Sequence, residues 1–435
     1  SLRTVRSVFG IPTETTTQST AFPFPPNRFP IIARVAVPMC CEAAAFLPIA
    51  RSLAPHVHLI PRSDRAWCLL KAHAQPTSFI VPSDCCARSM SHHHLRPLDL
   101  QNGRVERAHG SGGRASQQLV DELFSRHFHS PQLAVRHDAG ILTPPPGRIA
   151  ASTDSFVVSP LFFPGGCIGD LAVHGSINDV AMSGAQPLAL TIGFILEEGF
   201  LLSDLDRIAA AIGQASQRAA VPIISGDTKV VERGKADGVF LSTTCLGVIP
   251  EGIHIAPQRA CPTDVVIVSG TIGDHGTAIL SCREGIAFDC DLESDSAPLH
   301  SLVAAILSVH PDLHVLRDPT RGGVSAALHE IAASAQVGFR LWEAAIPVHP
   351  TVRSACQLLG LDPLHLACEG RLLAICPADD AARVLACMRA HPQGRDSAVI
   401  GEVITESPGF VQLETPYGGR KLLDWPAGEQ LPRIC

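Results

Sequence analysis

One tyrosine and three tryptophans in 435 residues leave little with which to stack nucleobases, and a formal net charge of −7 disfavours a phosphate-backbone partner, so nucleic-acid binding is not expected. No apolar run reaches 18 residues, so no segment is expected to span a membrane. The ten cysteines after residue 90 contain no C-x-x-C pair, which removes zinc knuckles and redox couples. Most of them, such as Cys245 and Cys376 in apolar runs, read as small buried hydrophobes in a reducing cytoplasm. Two nucleotide-binding signatures are missing as well: G-x-x-x-x-G-K-[ST] and G-x-G-x-x-G. What is present is an apolar content of 46%, with 35 glycines and 35 prolines, which implies sizeable cores joined by many tight turns. A chain of this length is expected to form two or three domains.

Residues 1–89 differ from the rest. They hold nine basic and four acidic residues, eleven prolines and the pairs Cys40-Cys41 and Cys85-Cys86, with little periodicity. The remainder carries 25 basic and 37 acidic residues, a net of −12. The leader lacks the layout of a secretory signal. It reads either as a targeting segment or as translated upstream sequence preceding a start at Met90, and is expected to lie outside the fold. His92, His93 and His94 read as a solvated terminus.

From residue 105 short apolar runs alternate with helical patterns. Strands are predicted at 150–158, 188–196, 221–225, 239–248, 264–269, 371–376 and 398–403. Helices are predicted at 169–182, 203–219, 276–283, 302–308, 322–333, 352–359 and 379–390. Val173, Ile177, Val180 and Gly184 share one helical face and leave Asp179 on another. The Pro-rich stretch 249–262 separates two blocks of similar size, giving domains at 105–255 and 256–415 and a tail at 416–435.

Four clusters bear chemistry. His109-Gly110-Ser111-Gly112-Gly113 opens a helix-compatible run and suits either a phosphate cradle or a plain linker. Asp154, Asp179 and Asp227 are read at strand ends or turns, with Lys229 two residues past the last; several carboxylates and a lysine suit Mg²⁺ and a nucleoside triphosphate, although each alone serves equally as a turn or cap. Two glycine-bearing turns follow, one with Asp274 and one with Arg321, whose guanidinium suits phosphate oxygens. Glu369, in Ala367-Cys368-Glu369-Gly370, is a candidate base. The chain ends on a thiol, Cys435, after a segment rich in glycine and proline. About ten extended residues reach ~35 Å, so such a tail can carry the thiol into a site.

These segments together carry a resemblance. Pro432-Arg433-Ile434-Cys435, AHGSGG (108–113), STDSFVVSPLFFPGG (152–166), NDVAMSGA (178–185), GFILEEG (193–199), SGDTKVV (225–231), SGTIGDHG (269–276) and RDPTRGGV (317–324) resemble the hydrogenase maturation factor HypE family, over about residues 105–435. That family sits in the superfamily of aminoimidazole ribonucleotide synthetase and selenophosphate synthetase. The resemblance implies an α+β protein: two mixed α/β domains of the aminoimidazole ribonucleotide synthetase type with a flexible C-terminal tail. It implies a cytoplasmic homodimer that uses ATP and Mg²⁺, takes a carbamoyl group on Cys435 from the carbamoyltransferase HypF, and dehydrates it to a thiocyanate. The cyanide group would then pass to iron on the HypC–HypD scaffold for nickel–iron hydrogenase. By position, Asp154, Asp179 and Asp227 would bind the metal, Lys229 the phosphates, Gly112, Gly113, Asp274 and Arg321 the nucleotide, and Glu369 would be the base. Cys368 stands where related sequences often have Asn.

The chemistry is coherent on its own terms. An amide oxygen is a poor leaving group; phosphorylating it lets it depart as phosphate while a base removes the nitrogen-bound protons, leaving S–C≡N. Other readings of the same residues are a different synthetase of this superfamily and a non-catalytic carrier of Cys435. A selenium enzyme would be expected to carry a reactive cysteine near its glycine loop, and residues 105–120 contain none. A carrier would have no use for the Asp and Lys set.

Overall fold

The structure is a computed structural model that describes residues 96–285, 292–425, 431 and 433–435. The leader and His92 to His94 lie outside the described residues. The first half comprises helices α1 (Gly113–Glu122) and α2 (Pro131–Val135), strand β1 (Arg148–Phe156), the two-residue strands β2 (Phe162–Phe163) and β3 (Gly166–Cys167), helix α3 (Ile168–Met182), strand β4 (Gln186–Glu197), helix α4 (Leu202–Ala219), and strands β5 (Ile223–Val231) and β6 (Val239–Ile249). Strands β1, β6, β4 and β5 form one sheet in that order, with only β4 and β5 parallel.

Burial alternates along β1 and β6, as a sheet with one covered face requires. Helix α3 is buried on almost every side, which is the state expected of a helix apolar all round. Its last residues, Ala181 and Met182, belong to an apolar cluster of the second half, together with Leu302, Ile306, Leu316 and Ile267. Asn178 fastens the same junction: its amide donates to the carbonyls of Ala297 and Glu369 at 3.0 and 3.3 Å, and its carbonyl accepts from Leu299 N at 2.7 Å.

The second half comprises β7 (Asp264–Val268), α5 (Asp274–Glu284), α6 (His300–Val309), β8 (Val315–Arg317), α7 (Gly323–Ala335), β9 (Gly338–Trp342), α8 (Pro350–Leu359), β10 (Leu373–Pro377), α9 (Ala381–Ala390), β11 (Ala398–Ile404), β12 (Val411–Glu414) and β13 (Arg420–Leu423). Its seven strands run in the order β13-β12-β9-β11-β7-β10-β8. Both faces are covered. Val266 and Val268 of β7 enter the core beneath α7, while Ile267 between them enters the core beneath α6 and α9.

Every strand and helix read from the sequence is present, but β5 runs six residues past the predicted end at 225, and α2, β2, β3, β8, β9, β12 and β13 are additions of the structure. Strand β13 falls in the segment assigned to the tail. Thr415 to Gly419 close a tight turn there, Thr415 N donating to Gly419 O at 2.8 Å, with Gly418 at φ +80°. Glycines taken as loosening the tail instead reverse the chain into a hairpin.

The chain terminus is seated. Val157 N donates to a terminal oxygen of Cys435 at 3.1 Å and Ser159 N to Arg433 O at 3.2 Å, an every-other-residue pairing like that of a sheet edge. Ile434 is buried at 3% exposure within the cluster that holds Phe156, Val158 and Ile279.

Candidate functional site

Strand register decides which acids can meet. Asp154 of β1 pairs with Thr243 of β6, Thr243 with Ile192 of β4, and Ile192 with Gly226 of β5. These residues share the face that packs on α3. Asp227, one residue on, shares the opposite face with Gly193, Ser242 and Ser155. Three interstrand steps of about 4.8 Å separate the β1 and β5 positions as well, about 14 Å in all. Asp154 and Asp227, read as turn or strand-end residues, both lie inside strands. One chain therefore does not bring Asp154, Asp179 and Asp227 to a single ion.

On the inner face Asp154 Oδ2 accepts from Ser176 Oγ at 2.9 Å, and Asp179 Oδ2 accepts from Ser152 Oγ at 2.7 Å. Desolvation first, then the charge of Asp179, raises the Asp154 pKa. Asp318, buried before α7, is raised to about 7 by burial and then by Asp179. Glu369, 4% exposed, is raised well above the carboxylate range by burial, then by Asp295, Asp318, Asp179 and Asp154. Among the described residues its Oε1 has no hydrogen-bond partner and neither has Oδ1 of Asp274, while Oδ2 of Asp295 lies 3.6 Å from Arg371 Nε. Asp154 and Asp318, each raised by burial and then by the charge of Asp179, form with Asp179 a donor set that fits a hard cation.

Glu369 is firmly placed. Its N–H donates to Asp295 Oδ1 at 2.9 Å, and a Cβ at Gly370 would stand 1.7 Å from Asp295 O, so only glycine permits that approach. Cys368 is fully buried, and its sulfur accepts from Gly273 N at 3.3 Å. Burial pushes its thiol pKa well up, keeping it neutral in that role. Asp274 begins α5 beside Arg371, whose guanidinium lies 3.4 Å from its Oδ2, and burial raises the Asp274 pKa. Arg321 is exposed just before α7, where its charge opposes the rise at Asp154.

The outer face differs. Lys229 Nζ holds both oxygens of Asp227, at 2.6 and 2.7 Å, and this bond first of all lowers the Asp227 pKa. A cavity of about 520 Å³ at the β5 edge joins Asp227, Thr228 and Lys229 to His109, Gly110 and Gly112 of the glycine loop and to Ile192 and Phe194 of the inner face. Gly112 and Gly113 adopt φ of +81° and +77°, and a Cβ on either would meet nothing within 4 Å. The turn is sterically open in the way a phosphate cradle requires, with Gly112 N–H now donating to Ser116 Oγ at 2.9 Å.

Asp318, Asp295, Asn178 and Arg371 were missed. Asp318 lay inside a quoted motif of which only Arg321 was taken. Asp295 lies in the polar run Glu293-Ser294-Asp295-Ser296, which has no periodicity to mark it.

The fold and these acid clusters define a class. Residues 136–249 match the N-terminal domain of AIR synthase related proteins, and residues 262–414 match the C-terminal domain. Carbamoyl dehydratase HypE of Azotobacter vinelandii is 57% identical over 338 residues, 78% of this chain and 99% of that protein. Its Escherichia coli K12 counterpart is 47% identical over 336 residues, 76% and 99%. The chain belongs to the HypE family of carbamoyl dehydratases. A crystal structure of hydrogenase maturation protein HypE in complex with ATP matches at TM-score 0.73 and 47% identity, covering 76% of this chain and 99% of that one. A HypE–HypF complex matches at 0.63 and 44%, covering 71% and 99%. Thiamine-monophosphate kinase from Stenotrophomonas maltophilia, at 21% identity and TM-score 0.54, shares the fold, covering 68% and 95%. Among the described residues no helix is long and apolar enough to cross a membrane.

Proposed function

We propose that the chain is an ATP-dependent carbamoyl dehydratase acting on its own C-terminal Cys435, converting an S-carbamoyl group to a thiocyanate that provides the cyanide ligand for the iron of nickel–iron hydrogenase. The observation that carries this reading is the seat of the terminus. Cys435 pairs with Val157, three residues beyond Asp154 and so about 10 Å along the backbone from that carboxylate.

When bound, ATP supplies the γ-phosphoryl group that turns the carbamoyl oxygen into leaving phosphate, and Mg²⁺ neutralises the charge that gathers there. The turn at Gly112 and Gly113 would take phosphate oxygens, Gly112 N–H exchanging its present bond to Ser116 Oγ, Lys229 would add a point charge, and Arg321 and Asp274 would frame the nucleotide. Asp154 and Asp179 of one copy would hold the metal, with Asp227 supplied by the other copy. Glu369, kept protonated by burial and its acidic neighbours until a bound cation offsets them, would then as carboxylate remove protons from the carbamoyl nitrogen, a contribution of typically 10²–10⁴-fold. The Cys435 thiolate is the acceptor of the carbamoyl group.

The register supports a homodimer. The outer face of the first sheet exposes Ile149 of β1 and, beside Lys229, Ile195 of β4, at 60% and 41%. Packing two outer faces together would leave each copy's inner acids behind its own sheet, so the proposed dimer brings one copy's Asp227 and Lys229 past the sheet edge toward the other's inner-face acids. HypF is the proposed carbamoyl donor, in keeping with the relative solved with it, and HypC–HypD the acceptor of cyanide. The proposed setting is the cytoplasm, where cysteines are kept reduced.

The test incubates the protein with the carbamoyltransferase, carbamoyl phosphate and Mg-ATP and weighs the C-terminal peptide. A carbamoyl adduct on Cys435 that loses one water only with hydrolysable ATP is expected. An unmodified tail, or an adduct elsewhere, sinks the reading.

A further inference from the structure

The seat of the terminus contains polar groups that the proposed chemistry does not use. His275 is 0% exposed at the start of α5. Its Nε2 lies 2.9 Å from Ile434 O and its Nδ1 2.8 Å from Ser294 Oγ. A carbonyl only accepts, so Nε2 carries the proton and donates to Ile434, while Nδ1 accepts from the Ser294 hydroxyl. Burial pushes the His275 pKa down to about 4, so the ring is neutral and this tautomer is the working one. The Ser294 hydroxyl is itself held by Ser296 N at 3.1 Å, and the edge of Phe163 packs against the imidazole at 5.7 Å between centroids.

Arg283 supplies a second clamp. Its Nη2 donates to Arg433 O at 2.9 Å and to Ser159 O at 2.6 Å, tying the tail to the strand it lies beside. Consecutive tail carbonyls, those of Arg433, Ile434 and Cys435, thus each meet a fixed donor from Arg283 or Ser159, from His275, or from Val157. The tail is held through its main-chain carbonyls and one buried side chain, Ile434, while Arg433 turns at φ +56° and its Nε donates to Val157 O at 2.9 Å.

We propose that His275, fixed by Ser294, is the positioning residue that sets where Cys435 stands in this seat. This deepens the reading above, since it concerns the same tail, yet docking requires neither ATP nor a carbamoyl group. The two can therefore fail separately.

The experiment labels the full-length protein with a maleimide and follows the rate at Cys435 in the Glu-C peptide Gln430 to Cys435. Buried Cys376 is the internal check that each variant is folded. Loss of one buried hydrogen bond in His275→Leu is expected to raise Cys435 labelling roughly fivefold. His275→Gln, which keeps a donor, should return it toward the wild-type rate. With carbamoylated protein, His275→Leu should slow dehydration by a similar factor while carbamoyl transfer from HypF is unchanged. Equal labelling of wild type and His275→Leu, or equal exposure in the Leu and Gln variants, overturns the proposal. If His275→Leu exposes Cys376, Ser294→Ala carries the test: it should raise Cys435 labelling roughly twofold, and no change overturns the proposal.

Discussion

On the inner face of the first sheet, Asp154 is half-buried, accepts a hydroxyl, and has its pKa raised by desolvation and by Asp179; on the outer face, Asp227 is exposed, gripped by Lys229, and has its pKa lowered. Both sit in a strand, and the registers of β1, β6, β4 and β5 put them on opposite sides. The residue type is the same and the electrostatic environment is reversed. The inner acids repel one another and suit a cation. The outer pair, opening on the glycine loop, suits an anion. A metal-nucleotide complex presents both kinds of charge, so neither face alone is sufficient in the proposed reaction.

The comparison can be broken most sharply at Glu369, which belongs wholly to the inner set. Glu369→Gln keeps the shape and removes the base, and is expected to slow dehydration 10²–10⁴-fold while Cys435 still accepts the carbamoyl group, as single-turnover mass measurements would record. Normal dehydration would remove Glu369 from the mechanism. On the outer face, Lys229→Ala should retain the carbamoyl adduct but lose dehydration by about 10²–10³-fold, the cost of deleting one preorganised charge.

A smaller effect separates the faces by pH. The folded pKa of Asp318, about 7, lies above its unfolded value of 3.8, so the folded state binds the extra proton between these values. Its contribution is therefore present at low pH and lost as pH rises through about 7. Asp318→Asn is expected to raise the metal-free thermal midpoint most at pH 8 and by less than half as much at pH 5. The exposed Asp227→Asn should not reproduce that pattern. A midpoint gain at pH 8 equal to that at pH 5 would contradict the repulsion assigned to the inner cluster.

Much of this was legible in the sequence. Long periodic segments such as α3, α4, β4 and β6 announced themselves, because one or both faces are buried along their whole length. Strands β8, β12 and β13 span only three or four residues, too few for an alternation to register. The site residues Asp154, Asp179, Asp227 and Glu369 were visible as residue types in motifs. Their grouping was not, because Gly226-Asp227-Thr228-Lys229 reads as a turn by composition while β4 pairing makes it strand. The terminus was read for its reach; its seat depends on His275 and Arg283, which lie some 150 residues away in the chain.

The division of labour between faces is tested most directly by mixing two inactive variants, Asp179→Asn and Lys229→Ala, under conditions that exchange subunits, and measuring dehydration of carbamoylated Cys435. If each site takes its inner acids from one copy and its outer pair from the other, random mixed dimers hold one intact site each, and about a quarter of wild-type activity should return. No recovery above either variant alone, in protein shown to have exchanged, would contradict the account.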